Sequence, residues 1–351
     1  MIVKPKTRGF ICTTAHPIGC RQIVKSQIEY AKAHKSDAGF KKVLIIGSSM
    51  GYGLSSRISA AYSCGAATLG VIFDKPGTEG RTGSAGWYNT AAFEEFAHAD
   101  GLYAKTINGD AFSKEIKEKT IEMIRNDLGK VDAVIYSLAA PKRTTSDGTT
   151  YSSVLKTTNI EYTNKTIDLK DNTIKEVTII PATDEEITAT VKVMGGEDWL
   201  DWIDALSDAG VIEENAVTVA YSYIGPEITY PMYTKGSIGK AKEHLFETSK
   251  QITQKYKGIS AYVSVNKALV TQSSAAIPPL YISILYKIMK KYGNHEGCIE
   301  QMTRLFTDKL SSNTAKTDEN GMIRLDDYEM QEDIQGKNCL DIGCGIGFTS
   351  I

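Results

Sequence analysis

Apolar positions along the chain fall into short continuous runs separated by stretches of helical period. KKVLIIG (41–47) and ATLGVIFD (67–74) are apolar runs closed by turn residues, the pattern of strands buried on both faces of a parallel sheet. Between them SSMGYG leads into LSSRISAAYSCG (54–65), an amphipathic helix stopped at Gly65. Strand, glycine turn, helix and strand make a βαβ unit. The alternation goes on: helix over 22–35 ahead of the unit, helix over 114–127, strand over 131–141, helix over 195–210, strand over 216–225, helix over 237–256, strand over 260–271 and an apolar helix over 280–293. This order predicts an α/β fold, a Rossmann-type doubly wound, mostly parallel sheet with helices on both faces. Residues 142–195 break the rhythm. They are rich in Thr, Asp, Lys and β-branched residues, as in EVTIIPATDEEITATVKV, and read as a small β-rich insertion.

Composition narrows the class. At 351 residues with 42% hydrophobic content, the chain suits one large α/β unit. Lys+Arg 40 against Asp+Glu 42 gives a net charge of -2, without the basic surplus expected of a nucleic-acid binder. No apolar run reaches the roughly 18 residues that suggest a membrane helix. The first twenty residues read as mature protein and not as a signal peptide, so a cytoplasmic enzyme is expected. Six cysteines at irregular spacing, with no CxxC pair, do not form a disulfide framework. Cys12 and Cys20 flank His16; a tight turn at HPIGC is preferred there over a metal site, so no metal is expected.

Candidate chemistry lies in two places. GSSMGYG (47–53) sits between a strand and a helix, where backbone N–H groups and the helix N-terminus favour a pyrophosphate. The next strand ends at Asp74, 21 residues beyond Gly53. An acid there bonds the ribose hydroxyls of NADH and repels the extra phosphate of NADPH. Asp110, in NGDAF, is a weaker candidate for the adenine. The stretch PGTEGRTGSAGWYN (76–89) is long for a turn and reads equally as a cover for the cofactor or as a structural excursion. The second place is AYSYIGPEITYPMYTKGSIGKAKEHL (220–245), with Tyr221, Tyr223, Tyr230, Tyr233, Lys235, Lys240 and Lys242. A tyrosine, with reference pKa about 10, becomes a better proton donor beside an ammonium. Tyr233 and Lys240 would share a face of one continuous helix. Lys242, nine positions from Tyr233, can partner it only if Tyr233 precedes the helix. Spacing leaves both lysines open.

The segments KPKTRGFICTTAHPIGC, GSSMGYGLSSRI, DKPGTEGRTGSAGWYN, INGDAFS, YSLAAP, ATVKVMGGEDW, AYSYIGPE, KGSIGKAKEHL, KALVTQSSAAIP and GNHEGCIEQ run in order along the chain, all within residues 3 to 335. With them the chain resembles the single-chain NADH-dependent trans-2-enoyl-CoA and enoyl-acyl-carrier-protein reductases, an enlarged branch of the short-chain dehydrogenase superfamily. The resemblance implies reduction of the 2,3 double bond of an enoyl thioester, on coenzyme A or carrier protein, in fatty acid metabolism by a monomer. It implies NADH held by Gly47, Ser48, Ser49, Met50, Gly51 and Tyr52 at the pyrophosphate and ribose. Phe73 and Asp74 would hold the adenosine end, with Asp110 and Ala111 at the adenine and Leu138 and Ala139 near the ribose. Leu269, Val270 and Thr271 would hold the nicotinamide amide. The family's Tyr-x8-Lys pair falls on Tyr233 and Lys242, with Tyr223 at the substrate thioester and Lys242 also orienting the cofactor.

Two departures from the family pattern stand out. AAIPPLYIS (275–283) is about two residues short, near the expected acyl pocket. After residue 335 the family's final helix is replaced by GKNCLDIGCGIGFTSI (336–351). Residues 1–335 thus read as one reductase domain and 336–351 as an atypical tail. LDIGCGIG resembles the first motif of S-adenosylmethionine-dependent methyltransferases, with only four residues after it. A nucleotide-binding remnant without catalysis, a ketone reductase and a methyltransferase are the alternatives weighed.

Overall fold

The computed structural model describes residues 2–8, 11–168, 173–225, 229–267, 269, 288–312 and 314–327. A short ladder of β1 (Thr7–Arg8) and β2 (Ile11–Cys12) precedes α1 (Pro17–Ala33). Then come β3 (Lys42–Ile46), α2 (Gly51–Tyr62), β4 (Ala67–Ile72), α3 (Ala85–Ala99), β5 (Ala104–Asn108), α4 (Lys114–Met123) and β6 (Val131–Tyr136). Two hairpins follow, β7 (Lys142–Thr144) with β8 (Thr150–Ser152) and β9 (Tyr162–Asp168) with β10 (Thr173–Ile179). The chain continues through α5 (Asp184–Met194), α6 (Glu197–Asp208), β11 (Ile212–Ser222), α7 (Ser237–Lys255) and β12 (Ser260–Val265), then α8 (Cys298–Arg304) and β13 (Ile323–Arg324).

Seven strands form one parallel sheet in the order β13-β12-β11-β6-β3-β4-β5. This is the doubly wound sheet expected from the alternation. The chain enters the sheet at β3, between β6 and β4, and winds one way through β4 and β5 and the other way from β6 to β13. The pleat explains the apolar run of β3. Leu44 and Ile46 face a core built with α4, α6 and α7, which includes Trp199, Trp202, Leu245 and Ile252. Val43 and Ile45 face the opposite core with Met302, Leu305 and Phe306. α2 is covered again on its outer side by α1 and α3, through Val24, Ile28, Ile58 and Phe93. A strand buried on both faces has no polar side to show, so its residues do not alternate. No helix among the described residues is long and apolar enough to cross a membrane.

The structure departs from the sequence expectations at several elements. α1 begins at Pro17, and not at 22, because the His16 ring accepts from the Gly19 N–H (3.3 Å) and proline suits a first helical position. His16 is thus a helix cap. The second half of 76–89 is helical: Ser84 caps α3 through its Oγ and the Trp87 N–H (3.4 Å). Within 142–195, expected to be β-rich, the strands end at Ile179 and residues 184–194 are a helix. The β-branched run Ile187, Thr188, Thr190, Val191 and Val193 suggested a strand. A reciprocal capping box between Thr183 and Glu186 (3.2 and 3.0 Å) starts a helix there instead. β12 ends at Val265, short of 271. Of the helix expected over 280–293, residues 288–292 are helical and 280–287 lie outside the described residues. So do Val270, Thr271, the shortened stretch 275–283 and the tail 336–351.

Candidate active site

The candidate residues collect at the carboxyl ends of the parallel strands. Gly47 follows β3, Phe73 and Asp74 follow β4, Asp110 and Ala111 follow β5, and Leu138 and Ala139 follow β6. Tyr223 follows β11, and Leu269 follows β12. The winding reverses between β3 and β6, which opens a crevice there, the usual place for a ligand in such sheets.

Gly47 ends β3 with φ 87°, and a Cβ on it would lie 2.3 Å from the Ser137 carbonyl oxygen. Glycine alone lets the loop run this close to the end of β6. The Gly47 and Ser48 N–H groups donate to Val71 O (2.9 and 3.1 Å), and the buried Ser48 Oγ points to the same carbonyl. Asn89 of α3 holds Ser49 by its carbonyl (3.2 Å). Met50 is the extended N-cap of α2, which carries no side-chain cap and no acid in its first turn. The first N–H groups of α2, from Gly51 onward, therefore have no side-chain cap competing for them, and the positive helix end suits an anionic pyrophosphate. Behind them, buried Arg57 ties α2 to β5 through Thr106 Oγ1 (2.7 Å) and Lys105 O (2.6 Å). Burial pushes its guanidinium down to about 10.

At the adenosine end, Phe73 is 77% exposed, an open ring beside half-buried Asp74. Asn108 holds the Asp74 backbone on both sides, accepting from its N–H (2.9 Å) and donating to its carbonyl (2.8 Å). Ser84 donates to Asp74 Oδ1 (2.7 Å). The carboxylate is thus fixed at the start of α3, with its second oxygen left for a diol. Asp110 Oδ1 accepts from the Phe112 N–H (3.0 Å) and so shapes its own turn. The Ala111 carbonyl accepts from buried Trp202 Nε1 (3.1 Å). Leu138 packs against the core and Ala139 is exposed.

The tyrosines and the lysine come from β11 and α7. Tyr233 lies in a turn that ends before α7 begins at Ser237, which is the condition under which Lys242 can serve. Lys240 is exposed and paired with Glu243 (2.8 Å). Lys242 is half-buried and donates to the Tyr221 carbonyl (2.8 Å), two residues before Tyr223. The Tyr223 and Tyr233 rings meet edge to face, centroids 4.8 Å apart at 80°. Thr234 Oγ1 donates to Ile224 O (2.8 Å), tying the two tyrosine segments together. Burial pushes the Tyr233 phenol up to about 12 and the Lys242 ammonium down to about 8. Burial thus holds the proton on Tyr233, and Lys242 keeps its charge at neutral pH but gives it up more readily than an exposed lysine.

The insertion braces this turn. Ser237, the first residue of α7, donates from N to Lys156 O (2.9 Å) and from Oγ to Val154 O (2.6 Å), and Thr158 Oγ1 donates to Lys235 O (2.8 Å). Neither these contacts nor Arg57 and Asn89 had a signal in the sequence, since each depends on an approach across the fold.

Residues 2–79 match the family described as NAD(P)H binding domain of trans-2-enoyl-CoA reductase, and residues 81–311 match that described as trans-2-enoyl-CoA reductase catalytic region. The chain belongs to the trans-2-enoyl-CoA reductase family. An enoyl-acyl-carrier-protein reductase (NADH) of Flavobacterium johnsoniae is 59% identical over 96% of this chain and 87% of its own length. A trans-2-enoyl-CoA reductase (NADH) of Ruminiclostridium cellulolyticum is 56% identical with the same two coverages, 96% and 87%. The crystal structure of Treponema denticola trans-2-enoyl-CoA reductase in complex with NAD superposes with a TM-score of 0.92 at 50% identity, covering 97% of this chain and 90% of that one. The chain is thus an NADH-dependent reductase of this family.

Proposed function

We propose that this reductase uses NADH to saturate the trans-2,3 double bond of an enoyl thioester, yielding the saturated acyl thioester. The observation that carries the reading is the Tyr223–Tyr233 pair at the carboxyl end of β11, with half-buried Lys242 held on the Tyr221 carbonyl two residues before Tyr223. Bound NADH supplies a hydride to C3 of the enoyl group. Gly47 to Tyr52 hold the pyrophosphate and ribose at the start of α2; Phe73, Asp74, Asp110 and Ala111 hold the adenosine end; Leu138 and Ala139 line the ribose; Leu269 to Thr271 hold the nicotinamide amide. Negative charge that builds on the thioester oxygen is met by the Tyr223 and Tyr233 hydroxyls, with Tyr233 as proton donor. Lys242 orients the cofactor, and its ammonium eases proton release from Tyr233. The one proton that Tyr233 gives up ends on C2 as the enol returns to the thioester, and solvent restores the Tyr233 hydroxyl. A cytoplasmic monomer working in fatty acid metabolism is the setting that goes with this reading.

The test is NADH oxidation with crotonyl-CoA, with crotonyl-acyl-carrier-protein and with a simple ketone. Turnover of either enoyl thioester, with the ketone inert, is the expected result, and the faster thioester names the carrier. A folded protein that binds NADH and turns over neither thioester would sink the proposal.

The same assay should show a pH limb. Lys242 near 8 loses its charge as pH rises, and with it the attraction for the bound cofactor, while Tyr233 near 12 keeps its proton. The kcat/KM for NADH should therefore hold below about pH 8 and decline above it, since this ratio reports groups of the free enzyme. Lys242→Met should give low values without that limb. A wild-type profile flat to about pH 10 would contradict the assignment.

A further inference from the structure

The segment from Asn294 to Arg304 holds none of the residues that the site draws on, yet it grips the chain where β12 runs out. Gln301, on α8, is fully buried. Its Oε1 accepts the Lys267 N–H (2.9 Å) and lies 3.4 Å from the Tyr52 hydroxyl. Its Nε2 reaches the Glu296 carbonyl (3.5 Å). The Tyr52 hydroxyl in turn donates to the Lys267 carbonyl. Both backbone polar groups of Lys267 are thus held, one by the side chain of α8 and the other by the glycine loop. The Lys267 ammonium is buried and donates to Asn294 O (3.1 Å). α8 is itself locked to α2 by Ser59 Oγ and Thr303 Oγ1 (3.1 Å), and Arg304 holds Glu296 in a two-point ion pair (2.8 and 2.7 Å).

We infer that Gln301 is a positioning residue for hydride transfer: it sets the segment at Lys267 and Leu269 against the glycine loop at Tyr52. The inference rests on the cofactor placement given above. There Tyr52 serves the pyrophosphate end, and Leu269, two residues past Lys267, serves the nicotinamide end. The span between these two anchors decides how the nicotinamide C4 meets the substrate. A buried amide that holds the Lys267 N–H, while Tyr52 holds the carbonyl of the same residue, fixes that span without touching cofactor or substrate, because its acceptor is aimed by a rigid helix and cannot be replaced by water. Losing the acceptor removes the bond that ties the Lys267 N–H to α8, so the segment is released to shift.

ADP-ribose carries the adenosine and pyrophosphate of the cofactor without its nicotinamide, so it separates the two ends. The full chain is compared with Gln301→Met, which fills the space without an acceptor, and Gln301→Glu, which keeps one. In Gln301→Met, ADP-ribose should bind as in the wild type. The kcat should fall about 10²-fold, the cost of an ångström-scale misplacement. NADH deuterated at the transferred position should show a larger isotope effect on kcat, and Gln301→Glu should recover most of the lost rate. Unchanged NADH kinetics in Gln301→Met would overturn the inference. So would parallel weakening of ADP-ribose and NADH, or loss of ADP-ribose binding in both variants, either of which would make Gln301 a residue of the fold alone. Wild-type protein that binds no ADP-ribose would overturn the cofactor placement itself, and the inference with it.

Discussion

Replacing Tyr233 by phenylalanine should lower kcat by about 10²- to 10⁴-fold, the range for removal of a positioned proton donor, and should leave NADH affinity close to the wild type. The ring stays, so its edge-to-face contact with Tyr223 and the packing of the turn persist. Only the hydroxyl is lost. The neighbouring Tyr223 hydroxyl remains to stabilise the thioester oxygen, which is why some activity should survive. Stopped-flow oxidation of NADH gives the rate, and quenching of protein fluorescence gives the affinity. A variant with wild-type kcat would remove Tyr233 from the chemistry. A variant that no longer binds NADH would give the residue a structural role.

Gly239→Ala should be the second large effect, at a position that touches neither substrate nor cofactor. Gly239 is the third residue of α7, and a Cβ there would lie 1.9 Å from the Thr234 carbonyl oxygen and 2.6 Å from that of Tyr233. Both are backbone atoms, so no side chain can swing away to make room. The turn carrying Tyr233 must lift from the helix, and Lys156, Val154 and Ile224 hold that turn from other sides. Overpacking of this kind costs about 1–3 kcal/mol. A shift of about 1 Å in a catalytic group costs about 10²-fold in rate. The expected result is a folded protein with lower thermal stability, near-normal NADH affinity and kcat reduced about a hundredfold. Unchanged kcat would show that the turn can move without moving the tyrosine hydroxyl.

What could be read from the sequence follows from how local each signal is. The central strands were legible because residues such as Val43 to Ile46 are buried on both faces and so form an uninterrupted apolar run. The glycine loop was legible because a turn, a helix start and an anion site all ask for the same residues within seven positions. In α5 the β-branched residues point to a strand, while the Thr183–Glu186 cap decides for helix. α3 was masked by the glycines and threonines just ahead of it. The choice between Lys240 and Lys242 turned on where one helix begins, a matter of a few residues that periodicity does not resolve. Gln301, Asn89 and Arg57 were out of reach, because each gains its role from a partner brought close only by folding. Gln301 and Tyr52, for example, are 249 positions apart.

The two family regions meet at residue 80, and the sheet does not respect that meeting point. β3 and β4 come from the first region, whereas their outer neighbours β6 and β5 come from the second. These two strands of the first region sit as a wedge between strands of the other. Cutting the chain there would leave both pieces with bare strand edges, and neither could close its own core. The halves are therefore not exchangeable cassettes: a chimaera built by splicing two relatives at this junction inherits mismatched strand neighbours on both flanks of the cofactor crevice. Recombination that keeps β3 to β6 together would be the tolerated kind.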